Sequence, residues 1–245
     1  MSDRIHTSIG GSTPDSITVA GRDLPSEVMG KLSLTELAYL LLTGREPSVG
    51  ERRMLDAVLV SLADHGLTPI ALAARMTYTG APESVQGAVA SGLLGAGSVF
   101  LGPAGDTAEF LAAVVSGDGD LVAAVDARIA ADQRVPGLGH PVHREFDPRT
   151  PRIYELAAEE GVLGPHLALL ETLPDIVADR TGKRLPINGA GAAGAALVDV
   201  GVPPSSVRGF VLIARTAGIV AHLAEEARDP IGMKLWQEVE RRSST

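Results

Sequence analysis

The sequence contains no cysteine, which excludes disulfides, a thiolate nucleophile and any cysteine-ligated metal or iron–sulfur centre. Aromatic residues are scarce, at 3% of a chain that is 45% hydrophobic, so the core must be built from Ala, Leu, Val and Ile. Side chains that small let helices approach closely. Positive charge is also in short supply. Twenty-one Lys and Arg stand against thirty Asp and Glu, a formal net charge of −9. With no sustained basic run, this argues against nucleic acid or an anionic membrane surface as the main partner. An anionic ligand would need arginines gathered locally. The longest apolar stretches are interrupted by charge, Gly or Pro within too few residues to span a bilayer. The opening residues 1–8 hold no apolar segment of the kind a signal peptide needs. A soluble cytoplasmic protein is the plain expectation. The sequence also lacks the Gly-x-Ser-x-Gly elbow of serine hydrolases and a phosphate loop ending in Gly-Lys-Ser/Thr, so nothing points to a nucleoside triphosphate.

A chain of 245 residues suits one large domain, or a main domain with a small lobe. Residues 7–24, with their glycines and one short Ile-Thr-Val run, predict a small hairpin. From Ser33 onward helix signals dominate. Ser33 with Glu36 makes a capping-box pattern ahead of Leu37, Leu40 and Leu41, closed by Gly44 and Pro47. Further helices are predicted over 49–64, 68–79, 83–101, 105–116, 118–133, 151–160, 164–181, 187–200, 204–227 and 230–242. The architecture is mainly helical, with no repeat of fixed period. Segments 86–102 and 187–200 are apolar nearly all round, so each belongs in an interior or against another subunit. Two such helices are hard to enclose in a chain of this length, which favours a homodimer.

The residues richest in chemistry lie at 136–149, Pro-Gly-Leu-Gly-His-Pro-Val-His-Arg-Glu-Phe-Asp-Pro-Arg. Glycines 137 and 139 permit backbone angles closed to other residues, and three prolines stiffen the path. His140 can exchange protons near neutrality, and arginine forks hold carboxylate or phosphate through paired hydrogen bonds. His143 alone reads as a solvated or structural histidine. His140, His143 and Asp147 are close enough in sequence to suggest a metal. Pro141 and the turn deny them a shared helical face, however, and no second ligand cluster is evident, so no metal is expected. His65 sits just past the end of a helix, as a cap or a ligand-binding group. Arg215 is one charge inside the apolar helix 204–227. It must face a ligand cavity or be paired, with Glu225 and Glu226 as the nearest acids in sequence. The run Gly189-Ala-Gly-Ala-Ala-Gly194 has the letters of a dinucleotide fingerprint, but no apolar strand precedes it and no acid follows at the ribose spacing. It reads instead as a close-packed helix start.

Pro136-Gly-Leu-Gly-His140 through Asp147-Pro-Arg149 resembles the histidine and Asp-Pro-Arg motif of the citrate synthase superfamily. Asp64-His65-Gly66, Arg215-Thr-Ala-Gly218, Thr7-Ser-Ile9, Gly21-Arg-Asp-Leu24 and Leu40-Leu-Leu-Thr-Gly44 extend the likeness over essentially the whole chain. It is most similar to the citryl-CoA lyase branch, stand-alone relatives of the C-terminal module of ATP-citrate lyase. The resemblance implies an all-α fold with a large domain (about 1–104 and 187–245), a small domain (about 105–186) and a symmetric dimer with sites near the subunit interface. It assigns His65 to hydrogen bonding of an oxaloacetate or citryl group, and His140 to the carbonyl or hydroxyl at the reacting carbon. Arg149 and Arg215 would grip carboxylates, and Arg144 would contact CoA phosphates. No tightly bound cofactor is implied; coenzyme A enters as part of the substrate. Two positions depart from the family pattern. Leu101 falls where citrate synthases carry a histidine, and Ala190 falls where the Asn-x-Asp aspartate exchanges a proton with the acetyl methyl carbon. Asp147, Glu225 and Asp106 are the acids available to replace it. The implied reaction cleaves or forms a carbon–carbon bond between an acyl-CoA thioester and a 2-oxo acid. The alternatives are a non-catalytic relative binding CoA esters or carboxylates, and a repurposed CoA-thioester hydrolase or decarboxylase.

Overall fold

The computed structural model describes residues 6–117 and 119–243. Asp118, the predicted start of helix 118–133, and residues 1–5 of the N-terminal opening lie outside the described residues. Instead of a hairpin, residues 7–24 form a three-stranded antiparallel sheet: β1 (Gly10–Ser12), β2 (Ile17–Val19) and β3 (Arg22–Asp23). The third strand exists because Ala20 and Gly21, at φ 50° and 77°, close a two-residue turn between β2 and β3.

All remaining regular structure is helical among the described residues. Both α1 (Leu34–Thr43) and α2 (Val49–Ala63) open on complete capping boxes, Ser33 with Glu36 and Ser48 with Glu51. Next come α3 (Pro69–Gly80) and α4 (Val85–Gly95). The single helix predicted over 83–101 is broken here. Glycines 95 and 97 weaken the α-helical ladder, and the chain makes a wider turn over Gly97–Leu101, with Leu101 N–H bonded to the Ala96 carbonyl, before α5 (Gly102–Ser116) begins. After α6 (Leu121–Ala130) and the His140 loop, α7 (Arg149–Glu159) starts two residues earlier than predicted, because Asp147 accepts the N–H of Arg149. The last helices are α8 (Pro165–Thr181), α9 (Gly189–Asp199), α10 (Val207–Arg228) and α11 (Gly232–Ser243).

One contiguous core joins these helices, with α9 in contact with α2, α5, α7 and α8. Its glycines explain how a helix reaches that position. A side chain at Gly191 would strike the backbone of Gly137, and one at Gly194 the carbonyl of Ala104; one at Gly189 would strike the Arg149 guanidinium. The glycine-rich run is therefore a close-packing device, as its sequence context implies. The two all-round apolar segments part ways here. The α9 helix is enclosed by its own chain, whereas α4 and the following turn leave Leu94 84% and Val99 75% exposed. One sequence expectation is corrected. Residues 97–116 and 204–228 form helical stretches long and apolar enough to cross a membrane, since the interrupting Gly and Pro are absorbed into continuous helix. In this fold about half of each stretch is buried against other helices.

Candidate active site

The α2–α3 loop, the 136–149 loop, the start of α9 and the middle of α10 meet at one place. Glycine again sets the geometry. On α10, Gly218 packs against the carbonyl of Ala63, where any side chain would collide, so α10 lies directly on the C-terminal end of α2. Arg215 and His222, one turn before and one turn after Gly218, are thereby brought to the Asp64–His65–Gly66 loop.

The 136–149 loop is built by local bonds. Gly137 and Gly139 adopt φ of 85° and 74°. The loop docks on the segment before α9: Gly139 N–H donates to Pro186 O (2.8 Å), Asn188 N–H to Gly137 O (2.9 Å), and Asn188 Nδ2 to Gly139 O (2.8 Å). His140, half-buried in this frame, accepts at Nδ1 the backbone N–H groups of Val142 (3.1 Å) and His143 (3.0 Å). Two donors on Nδ1 leave the proton of the neutral ring on Nε2. Burial first, then the neighbouring His143, holds the His140 pKa below its ordinary value. His140 is thus a neutral imidazole presenting an N–H donor, suited to bonding a carbonyl or oxyanion. It does not present a lone pair on Nε2 to act as a base.

His65 and His143 complete a triad of rings around this donor. Centroids lie 5.4 Å apart for His65–His140, 5.6 Å for His65–His143 and 4.6 Å for His140–His143. Three imidazoles that each place one nitrogen within 4.8 Å of the others resemble a metal site. The donor chemistry opposes that reading. A metal-bound histidine normally donates its second ring N–H to a neighbour, whereas the second nitrogen of His140 accepts two N–H bonds. Sequence reasoning set His143 aside; the fold brings it into the cluster.

Arg149 and Arg215 behave differently from each other. Arg149 donates from Nε (3.0 Å) and Nη2 (2.8 Å) to the Asp147 carboxylate, which also accepts the N–H of Gly189 (2.7 Å). The N-termini of α7 and α9 thus converge on Asp147. Burial alone would raise its pKa, but Arg149 and these N–H groups hold it far below the usual carboxylate range. Asp147 is therefore too committed to replace the missing acid at position 190. Glu225 is taken by Arg75, and Asp106 is exposed on α5. Arg215, by contrast, is only 6% exposed and forms no hydrogen bond or ion pair among the described residues, with Nε wholly unsatisfied. The anticipated partners Glu225 and Glu226 both face Arg75 instead. The charges that act on Arg215 are Asp64 and Arg149.

The two substituted positions fall in different settings. Ala190 is half-buried on the first turn of α9, next to the Gly189 that contacts Arg149. Leu101 is 2% exposed and part of the core. Arg144 does not join the histidines. It lines a cleft of about 620 Å³ with Phe146, Asp147, Tyr154, Leu185 and Ile187, and none of His65, His140, Arg149 or Arg215 lines that cleft.

The helical fold and this clustered histidine–arginine site define the class, and the chain belongs to the citrate synthase family, whose C-terminal domain matches residues 7–237. Among solved structures, the citryl-CoA lyase of Hydrogenobacter thermophilus superposes with a TM-score of 0.84 at 33% identity, covering 91% of this chain and 86% of that one. The ATP citrate lyase of Methanothrix soehngenii, in complex with citrate and coenzyme A, shares the fold at 19% identity with a TM-score of 0.79, covering 93% of this chain and 39% of that one. The citrate synthase of Deinococcus radiodurans is 26% identical over 198 residues, 77% of this chain and 51% of its own length. The chain spans about half the length of the curated relatives it matches.

Proposed function

We propose that the protein is a citryl-CoA-lyase-like enzyme, cleaving a 3-hydroxyacyl-CoA such as citryl-CoA into a shorter acyl-CoA and a 2-oxo acid. One observation carries this reading: the buried, unpaired Arg215 beside Arg149 and the neutral N–H donor of His140. Burying an uncompensated guanidinium is costly, and an incoming carboxylate removes that cost. The likeness to a citryl-CoA lyase supports the substrate class.

In this reading Arg215 and the free edge of Arg149 bind the carboxylates of the oxo-acid half. His140 Nε2–H bonds the oxygen that becomes the ketone. As the carbon–carbon bond breaks, its electron pair moves onto the thioester, forming an enolate, while the hydroxyl proton passes to the neighbouring imidazole of His65. The enolate carbon then takes a proton from water, because residue 190 is alanine and Asp147 is locked to Arg149, and the hydroxide left behind takes up the proton held on His65. Loss of a positioned general acid typically costs about a hundred- to ten-thousand-fold in rate. Cleavage tolerates this better than condensation, which must first remove a proton from a weakly acidic methyl group. Arg144 at the adjacent cleft offers a contact for CoA phosphates.

The reading extends to a two-lobed chain, about 1–104 with 187–245 against 105–186, working as a cytoplasmic homodimer. The exposed Leu94 and Val99 would supply part of the subunit interface. No tightly bound cofactor is required. The test is incubation of purified protein with citryl-CoA, following acetyl-CoA and oxaloacetate. Formation of both, abolished by His140→Ala, supports the lyase; appearance of neither contradicts it. Ala190 and the committed Asp147 favour one second reading, a relative that binds CoA esters or carboxylates without turnover. That reading predicts ligand-induced thermal stabilisation and no product.

A further inference from the structure

A chain of polar groups that the reaction does not use runs from the half-exposed Asp64 through His222 to the buried Arg75 and Glu226. Asp64 accepts from His222 Nε2 at Oδ1 (2.8 Å) and from the Gly66 N–H at Oδ2 (2.8 Å). His222 Nδ1 in turn accepts from Arg75 Nε (3.2 Å), which fixes the ring proton on Nε2, pointed at Asp64. Arg75 is 1% exposed. It is anchored by Glu226 Oε2 (3.0 Å), with Glu225 on its remaining nitrogen. Glu226 Oε1 receives the N–H groups of Ile231 (2.9 Å) and Gly232 (2.7 Å), tying the chain to the start of α11. Every link has one donor and one acceptor, so the direction of every bond is set.

The loop end of this chain packs on Gly218, one turn along α10 from Arg215. Asp64 is the acid whose field reaches that guanidinium, yet the two form no ion pair. This requires explanation, because a half-exposed carboxylate on a loop would ordinarily turn toward a buried, unsatisfied cation nearby. We propose that His222 is a positioning residue that holds the Asp64 carboxylate away from Arg215, keeping the buried guanidinium open for the substrate carboxylate. Two fixed donors, His222 on Oδ1 and Gly66 on Oδ2, engage both oxygens of Asp64 and hold it in an orientation that excludes Arg215. They also outweigh its burial and keep it ionised. The identity of Arg215 as a carboxylate anchor rests on the lyase reading above; the restraint on Asp64 does not.

The experiment uses His222→Asn, whose amide oxygen can still accept from Arg75 but whose side chain does not reach Asp64. Oxaloacetate affinity is measured by calorimetry for wild type, His222→Asn, Asp64→Asn, the double variant and Arg215→Met. The proposal expects His222→Asn to weaken oxaloacetate about 10- to 100-fold in the wild-type background and by less than about threefold when Asp64 is already Asn. A purely structural role predicts the same loss in both backgrounds, and that result would overturn it. So would unchanged affinity of His222→Asn alongside loss of binding in Arg215→Met. If wild type does not bind oxaloacetate, the lyase reading is what fails. The restraint is then decided by the crystal structure of His222→Asn: Asp64 paired with Arg215 supports it, and Asp64 unmoved refutes it.

Discussion

Two residues show most clearly how chemistry follows from local bonding. With its Nδ1 occupied by two backbone N–H groups, His140 cannot be protonated there without losing both. Its pKa is depressed in the folded protein, so its favourable contribution is complete above the unfolded value of about 6.5 and is lost as pH falls through the folded value below it. The His140 contribution to oxaloacetate binding should therefore be constant across neutral pH and decline only on the acid side of about 6.5. Histidine NMR should show His140 as the Nε2–H tautomer at pH 7.5. Arg215 makes the complementary case. Replacing it with Met removes an unpaired buried charge, so ligand-free thermal stability should hold or rise, while oxaloacetate affinity falls at least about a hundredfold. A drop in stability would mean that Arg215 has a structural partner. The lone charge at 215 in an apolar helix was legible as a site in the sequence. Arg75, an equally lone charge in residues 70–76, carries the same signal but is structural. What separates them is the location of Glu225 and Glu226, which only the tertiary fold decides.

At the level of elements, caps and glycines explain most of what sequence could reach. Helices α1 and α2 announce themselves by capping boxes, and the structure completes both. The break between α4 and α5 did not announce itself, because an apolar face runs unbroken through Val85–Leu101 while the backbone changes from α to a wider turn. The third strand was hidden for a related reason, since Ala20 is an uncommon residue for a left-handed turn. The glycine pattern in α9 was legible as packing, though its three neighbours were not. Gly194→Val should force α9 off the Ala104 carbonyl and lower stability by about 1–3 kcal/mol or more, measured by urea unfolding. Arg75→Met should be more damaging, on the order of 3–5 kcal/mol, because it leaves Glu226 buried without its cation. A loss below 1 kcal/mol would show that the backbone N–H groups of Ile231 and Gly232 suffice for Glu226.

Across the whole molecule, depressed carboxylates set the response to acid. Asp147, Asp64 and Glu226 all titrate below their ordinary values, each because fixed donors outweigh the effect of burial. A depressed carboxylate stabilises the fold fully above its unfolded pKa, near 4, and loses that contribution as pH falls toward its folded value. Thermal stability should therefore hold from neutrality to about pH 5 and fall steeply below about pH 4. Asp147→Asn should flatten that acid decline while weakening the α7–α9 junction. The same carboxylate defines the site, since it orients Arg149 at the point where two helix N-termini meet. Residues from four separate segments, 64–66, 137–149, 188–190 and 215–222, reach one place only through the packing of α9 and α10. A crystal structure with oxaloacetate tests that convergence most directly. The account predicts a ligand carboxylate within about 3 Å of Arg215 Nε and a ligand oxygen at the same distance from His140 Nε2. Oxaloacetate seated only in the Arg144 cleft, with Arg215 still unpaired, would contradict it.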